Sequence, residues 1–201
     1  MTDEELMIIN CVMYDPTLVL HDGQTLGDWA KSFDPNMVDD YLANGQTPPG
    51  LIDKDMWENI VSTILNDANL KNVVIKNVEE RPVDPVKQTH GNDATFLYTD
   101  PDKGKTTAVI AYSGTSTSSE WADDGDGGHI DVTDTPQQKD ANDYFVRQTT
   151  GHGDAVGADQ VITTGHSKGG NFAQYVAIVN PKSPKPATPQ HAQTRGTSAP
   201  S

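Results

Sequence analysis

The sequence is poor in cysteine, in basic residues and in long apolar runs, and each shortage excludes a class of protein. Only one of the 201 residues is a cysteine, so neither an intramolecular disulfide nor a cysteine cage for a metal can form. No run approaches the roughly 18 apolar residues that a membrane span needs, which argues against an integral membrane protein. The first residues are acidic where a signal peptide would be basic, so we expect a cytoplasmic protein.

Basic residues are scarce as well. Lysine and arginine total 14 against 29 acidic residues, which gives a formal net charge of −15. So acidic a surface repels phosphate backbones and anionic lipids, and we therefore expect neither a nucleic-acid partner nor simple adsorption to membranes.

Apolar residues are concentrated between Glu5 and Val179, whereas residues 181–201 contain no leucine, isoleucine, valine, phenylalanine, tyrosine or tryptophan. This composition predicts a single domain of about 180 residues followed by a disordered, proline-rich tail. We divide the chain into a helical N-terminal segment (1–70), a core (71–180) and the tail (181–201).

Helical periodicity and capping residues predict helices over 3–14, 35–43 and 53–67, and a further helix that begins at Pro136. Short β-branched or aromatic runs predict strands at "NVVIKNV", "ATFLYT", "TTAVIAYSG" and "QVITTG". The apolar segment "NFAQYVAIV" follows the last of these and is typical of a buried helix. This alternation is typical of an α/β sheet with crossover connections.

The segment "GHSKGG" joins the last predicted strand to that helix and matches the pattern G-x-S-x-G. Ser167 is at the centre of the pattern, with Gly165 and His166 before it and Lys168, Gly169 and Gly170 after it. A sharp strand-to-helix turn lifts a serine hydroxyl above the sheet and directs the next amide, that of Lys168, towards a developing oxyanion. Because short glycine patterns also occur by chance, a turn without any chemistry is the alternative interpretation.

A second group of residues, "SGTSTSSEWADD", follows the strand "VIAY" and places Thr115 where a short turn can present a backbone amide and a hydroxyl. Together with the elbow, this order resembles class 3, or fungal-type, lipases. It is most similar to a bacterial lipase-like α/β-hydrolase family of unassigned substrate, over about residues 70–180. The resemblance implies that Ser167 is the nucleophile, that Thr115 and Lys168 form the oxyanion hole, and that Trp121 and Asp124 support the loop.

One part of the lipase pattern is missing from this sequence. In α/β-hydrolases the acid and the histidine follow the nucleophile along the chain. Residues 168–201 contain no acidic residue, and their only histidine is His191 in the predicted tail. We therefore expect a chain cut short after the nucleophile helix, with the strand at 160–164 left as a sheet edge. A natural compact variant with a linker tail is the alternative.

Other residues offer weaker candidates for chemistry. His90, His129 and His152 lie in predicted loops or turns, where a histidine is usually only solvated. The segment "DDGDGGHID" from Asp123 resembles an oxygen-rich calcium loop, but its acid spacing does not fit an EF-hand. We therefore predict neither a metal nor a cofactor.

We conclude that the sequence predicts an α/β-hydrolase-like protein with flanking helices, incomplete on its C-terminal side. The predicted activity is hydrolysis of carboxylic esters, including lipid or acyl esters, through an acyl-enzyme on Ser167. The missing acid and histidine predict weak or absent activity of this chain alone. Acyl transfer to a thiol or alcohol would use the same residues. The alternative from another class is a non-catalytic module whose acidic face holds a basic partner.

Overall fold

A mixed β-sheet with helices on both faces forms the framework of the protein. The computed structural model describes residues 1–81, 91–114, 135–183 and 187–190. Within these ranges the strands are β1 (Val74–Arg81), β2 (Gly91–Thr99), β3 (Thr106–Tyr112), β4 (Gln160–Gly165) and β5 (Ala187–Gln190). The helices are α1 (Asp3–Val12), α2 (Leu26–Ser32), α3 (Met37–Ala43), α4 (Lys54–Asn66), α5 (Pro136–Thr149) and α6 (Lys168–Val179).

The strands lie in the sheet in the order of the chain, β1-β2-β3-β4-β5. The first three strands are antiparallel neighbours, whereas β4 pairs with β3, and β5 with β4, in parallel. Parallel neighbours need a crossover connection, and α5 lies between β3 and β4 in the chain as α6 lies between β4 and β5. The parallel part of the sheet therefore brings the carboxyl ends of β3 and β4 together, with Tyr112 opposite Gly165.

Alternating side chains of the strands divide the core into two apolar clusters, one on each face of the sheet. On one face, Val109 and Ala111 of β3 belong to the same cluster as side chains of α1, α2 and α4. On the other face, Ile110 and Tyr112 belong to a cluster with side chains of α5 and α6. The N-terminal helices thus share a core with one face of strands β1 to β4.

Local sequence accounts for where several helices begin. Thr2 and Glu5 form a capping box at α1, and Thr135 and Gln138 form another at α5, where Pro136 occupies the first turn. Asp53 accepts a hydrogen bond from the backbone amide of Met56 at the start of α4. None of the helices among the described residues is long and apolar enough to cross a bilayer.

The expectation of an α/β fold with flanking helices is confirmed at that level. One helix, α2, was not predicted, although Thr25 caps it and Asp28 lies in its first turn.

The prediction that β4 is the edge of the sheet is wrong. Residues 187–190 pair with β4 in parallel, from Ala187 opposite Val161 to Gln190 opposite Thr164. These four residues belong to the segment that was expected to be disordered throughout. Their composition gave no sign of a strand. An outer strand pairs through the backbone N–H and C=O groups of one side only, so it tolerates a residue such as Pro189.

Candidate active site

A sharp turn joins β4 to α6 and carries the serine that the sequence singled out. β4 ends at Gly165, α6 begins at Lys168, and only His166 and Ser167 lie between them. Ser167 has φ 56° and ψ −124°, a conformation that residues with a side chain rarely adopt. Such a conformation costs ~1–3 kcal/mol and persists only where the surrounding structure enforces it.

Close packing around this turn explains the two glycines of the motif. A Cβ at Gly165 would overlap the carbonyl of Gly169, and a Cβ at Gly169 would overlap the carbonyl oxygen of Tyr112. These neighbours are backbone atoms, which cannot rotate away as a side chain can. Glycine at both positions therefore allows β4, α6 and the end of β3 to meet, and their contact enforces the backbone of Ser167.

The hydroxyl of Ser167 does not cap the helix that it precedes. A serine at this position usually accepts a hydrogen bond from an amide in the first turn of the helix. The side chain of Ser167 makes no such hydrogen bond, and the residue is half-buried. The Ser167 hydroxyl therefore does not serve as a helix cap, which is compatible with a role as a nucleophile.

The loop that follows β3 lies directly against the turn. A Cβ built on Gly114 would be 3.2 Å from the Cβ of Ser167 and would overlap the carbonyl oxygen of His166. The sequence predicted that residues 113–115 lie beside the nucleophile, and Gly114 does so. Thr115, the predicted oxyanion-hole partner, lies outside the described residues.

Two hydrogen bonds between β2 and the end of β3 fix the start of this loop. The backbone amide of Asn92 donates to Oγ of Ser113 at 2.6 Å, and the amide of Ser113 donates to the carbonyl of Asn92 at 2.9 Å. Asn92 also donates from Nδ2 to the carbonyls of Met13 and Asp15, at 3.4 and 3.3 Å. Asn92 therefore connects the loop beside Ser167 to the chain that follows α1.

His166 forms a long-range contact that the sequence analysis did not anticipate. Its Nδ1 lies 2.9 Å from the hydroxyl oxygen of Tyr14, and the two rings meet edge to face with centroids 6.0 Å apart. Desolvation by the surrounding protein lowers the pKa of His166, although part of the side chain remains exposed. The neutral form of the imidazole therefore predominates at pH 7.

A second contact joins α1 to the strand that leads to the turn. Nδ2 of Asn10 donates to Oγ1 of Thr164 at 2.9 Å, and that hydroxyl donates to Oδ1 of Asn10 at 3.1 Å. Both residues are buried. Sequence reasoning missed Asn10 and Tyr14 because neither belongs to a motif. Asn10 carries a weak signal, however, as a polar residue between apolar positions of α1.

The lipase resemblance also implies a base and an acid, and the described residues place only some of the candidates. His152 precedes β4 in the chain, whereas Ser167 follows that strand. His21 is exposed in part and is hydrogen-bonded to Gln24. His90, His129 and His191 lie outside the described residues, as do Trp121 and Asp124, the predicted loop supports.

The described residues include no group of three or more histidine, cysteine or acidic side chains that could hold a metal ion. Cys11 is a free thiol on α1, and burial raises its pKa. The groups at the turn that could act chemically on a ligand therefore include the hydroxyl of Ser167 and the imidazole of His166, whereas the amides of Gly169 and Gly170 donate to the carbonyls of His166 and Ser167.

Comparison with known proteins is consistent with this arrangement at the level of a family. Searches of curated proteins and of solved structures give no significant match. A family model described as Mbeg1-like matches residues 64–186, which include β1 to β4, α5, the turn and α6. Because this match covers more than half of the chain, the protein belongs to the Mbeg1-like family.

Proposed function

We propose that the protein is a serine hydrolase that cleaves carboxylic esters, with the hydroxyl of Ser167 as the nucleophile. The observation that carries this proposal is the backbone of Ser167, which has φ 56° and ψ −124° in a two-residue strand-to-helix turn. A strained conformation enforced by backbone contacts is typical of a functional position, since a structural turn would relax it. The lipase-like character of the Mbeg1-like family supports the same assignment.

In this reaction Ser167 Oγ attacks the ester carbonyl, the alcohol leaves, and water then hydrolyses the acyl-enzyme. The negative charge that develops on the carbonyl oxygen is stabilised by the amide of Lys168, at the positive end of α6. Removal of one such donor typically costs ~3–4 kcal/mol of transition-state stabilisation. Thr115 is the second donor by the lipase resemblance, and the position of Gly114 beside Ser167 supports it.

Attack also requires a base that takes the hydroxyl proton. The sequence predicts weak or absent activity because no acidic residue, and no histidine except His191, follows Ser167, so the proposed activity of this chain requires one of its own histidines to act as the base. The candidates are His90, His129 and His191, which lie outside the described residues, because His152 precedes β4 and the Nδ1 of His166 is directed to Tyr14. A cytoplasmic location is a further proposal, supported by the single cysteine of the sequence.

A fluorophosphonate probe with a reporter group tests the nucleophile directly. The intact chain should be labelled at one site, and Ser167→Ala should abolish the labelling without lowering the midpoint of urea unfolding. Ser183→Ala, in the segment after α6, is the matched control and should leave the labelling unchanged. Absence of Ser167-dependent labelling in the intact chain would refute the proposal.

Single replacements of His90, His129 and His191 by asparagine then identify the base. The replacement that removes the base should lower hydrolysis of a short-chain p-nitrophenyl ester by ~10⁴-fold or more. If none of the three has an effect while Ser167→Ala abolishes hydrolysis, the base is not one of these histidines.

A further inference from the structure

We infer that Tyr14 is a positioning residue of the site at Ser167, acting through a hydrogen bond that its hydroxyl donates to Nδ1 of His166. This inference rests on the proposed function, since it concerns the reactivity of the same serine. Tyr14 lies just after α1, in the helical segment that precedes the sheet. The N-terminal segment would thus be part of the reactive centre and not only a layer of the core.

The ring of Tyr14 packs closely against the backbone of Gly50. A Cβ on Gly50 would overlap the ring, whose Cδ1 and Cδ2 atoms lie 2.7 and 2.8 Å from that position. Gly50 has φ 63°, which glycine adopts without strain. Only 6 % of Tyr14 is exposed to solvent. The ring therefore has little room to move away from the turn.

The chain on either side of Tyr14 is anchored as well. Asp15 is fully buried, and its carboxylate accepts hydrogen bonds from Nε1 of Trp29 at 2.8 Å and from the amide of Thr17 at 2.8 Å. Four residues before Tyr14, Asn10 is bonded to Thr164 of β4. Tyr14 is thus fixed relative to the same strand that ends at the turn.

The hydroxyl of Tyr14 reaches the two backbone segments that enclose Ser167. It is 2.9 Å from Nδ1 of His166 and lies 2.7 Å from the position of a Cβ on Gly114. The backbone of His166 is restrained on its other side, where its carbonyl accepts from the amide of Gly169 at 3.0 Å. His166, the residue before the strained serine, is therefore held by one hydrogen bond at its side chain and by another at its backbone carbonyl.

The distance between the Tyr14 hydroxyl and Nδ1 of His166 fits either direction of the hydrogen bond, since a neutral imidazole can accept at Nδ1 or donate from it. We assign the donor role to the hydroxyl of Tyr14, because a phenol is a stronger donor than a neutral imidazole, and Nδ1 then accepts. The remaining proton of His166 is then on Nε2, because a neutral ring carries only one. This tautomer is a signature of the contact that can be measured without any assay of activity.

The experiment compares Tyr14→Phe with Tyr98→Phe in the intact chain. Tyr98 is a matched control, since it is 8 % exposed and its hydroxyl donates to Asn69 of the N-terminal segment at 3.0 Å. Tyr98 pairs with Thr107 at the start of β3, whereas the turn with Ser167 lies near the end of β3, where Tyr112 is opposite Gly165. Tyr98 is therefore remote from the turn along the strands. Both variants lose one buried tyrosine hydroxyl and retain the ring.

The two readouts are the ¹⁵N shifts of the His166 ring and the second-order rate constant for fluorophosphonate labelling of Ser167. We expect the wild-type protein to show the Nε2–H tautomer, and Tyr14→Phe to show a mixture of tautomers. Loss of one restraining hydrogen bond should lower the labelling rate constant about fivefold to tenfold. Tyr98→Phe should change neither readout, even if it lowers the midpoint of urea unfolding as much as Tyr14→Phe does.

Three results would overturn the inference: labelling of Tyr14→Phe at the wild-type rate, an Nδ1–H tautomer in the wild-type protein, or an equal loss of labelling in Tyr98→Phe. Failure of the proposed function has a different signature. In that case the wild-type protein shows no Ser167-dependent labelling, and no positioning role remains for Tyr14 even if its replacement shifts the tautomer of His166.

Discussion

Asn10 and Thr164 exchange two hydrogen bonds across 154 positions of the chain, at 2.9 and 3.1 Å. One residue belongs to the first helix and the other to the strand that leads to Ser167. Because both side chains are buried, each satisfies a polar group that would otherwise be costly in the core. This pair joins the N-terminal helical layer to the candidate active site.

The first prediction concerns that pair. Asn10→Ala and Thr164→Val should each lower the free energy of unfolding by ~1–3 kcal/mol, because each leaves a buried polar partner unsatisfied. The double variant should lose less than the sum of the two, by ~0.5–3 kcal/mol. Urea unfolding measures all three values.

Thr99→Val serves as the control for this cycle, since the hydrogen bond of Thr99 to Thr106 is exposed to solvent. Its effect should stay within ~0.5 kcal/mol of zero. Strictly additive effects of the Asn10 and Thr164 replacements would contradict a direct interaction.

The second prediction concerns the glycines of the turn. Gly169→Ala should lower the free energy of unfolding by ~1–3 kcal/mol or more and reduce labelling of Ser167, because its Cβ would meet the carbonyl of Tyr112. Gly157→Ala is the matched control, since open space surrounds a Cβ there and its φ is not positive. That change should be neutral or stabilise the protein by up to ~1 kcal/mol. Equal stabilities of the two variants would show that the turn is less tightly packed.

The third prediction contrasts two buried tryptophans. Nε1 of Trp29 donates to the buried carboxylate of Asp15 at 2.8 Å, whereas Nε1 of Trp57 has no hydrogen-bond partner among the described residues. Both rings pack against Phe33, with centroids 4.7 Å away. Trp29→Phe should therefore cost more than Trp57→Phe, by the ~1.5–3 kcal/mol of a hydrogen bond to a charged group.

Urea unfolding of the two single variants at pH 7 decides this point. A larger loss for Trp57→Phe would mean that ring packing, and not the hydrogen bond to Asp15, dominates this part of the core.

The fourth prediction concerns pH. Burial lowers the pKa of His166 in the folded protein, so between that pKa and the usual value of about 6.5 the unfolded chain binds more protons. The contribution of this histidine to stability is therefore complete above about pH 6.5 and is lost as the pH falls. The stability of the wild-type protein relative to His166→Asn should decrease between pH 7.5 and 5.5.

Guanidinium unfolding at several pH values measures this difference, and carboxylates common to both proteins cancel from it. A difference that grows on acidification would mean that the folded protein favours the charged ring, contrary to the desolvation of His166.

Some parts of the structure followed from local patterns in the sequence. The helices that begin at Asp3, Lys54 and Pro136 have capping residues and apolar periods that lie within a few neighbouring positions, and β4 coincides with the predicted "QVITTG". The turn at Ser167 was predicted for the same reason, since its glycines and its serine are consecutive in the chain. Pairing of residues 187–190 with β4 had no such local signal.

The sequence by itself determined that Ser167 stands between a strand and a helix with glycines two positions away on each side, because a tight turn imposes its requirements on adjacent residues. Only the tertiary structure decided that Tyr14 meets His166 and that Asn10 meets Thr164. Those contacts join elements far apart in the chain. They depend on which face of the sheet each helix covers and on strand register, which local residue patterns do not encode.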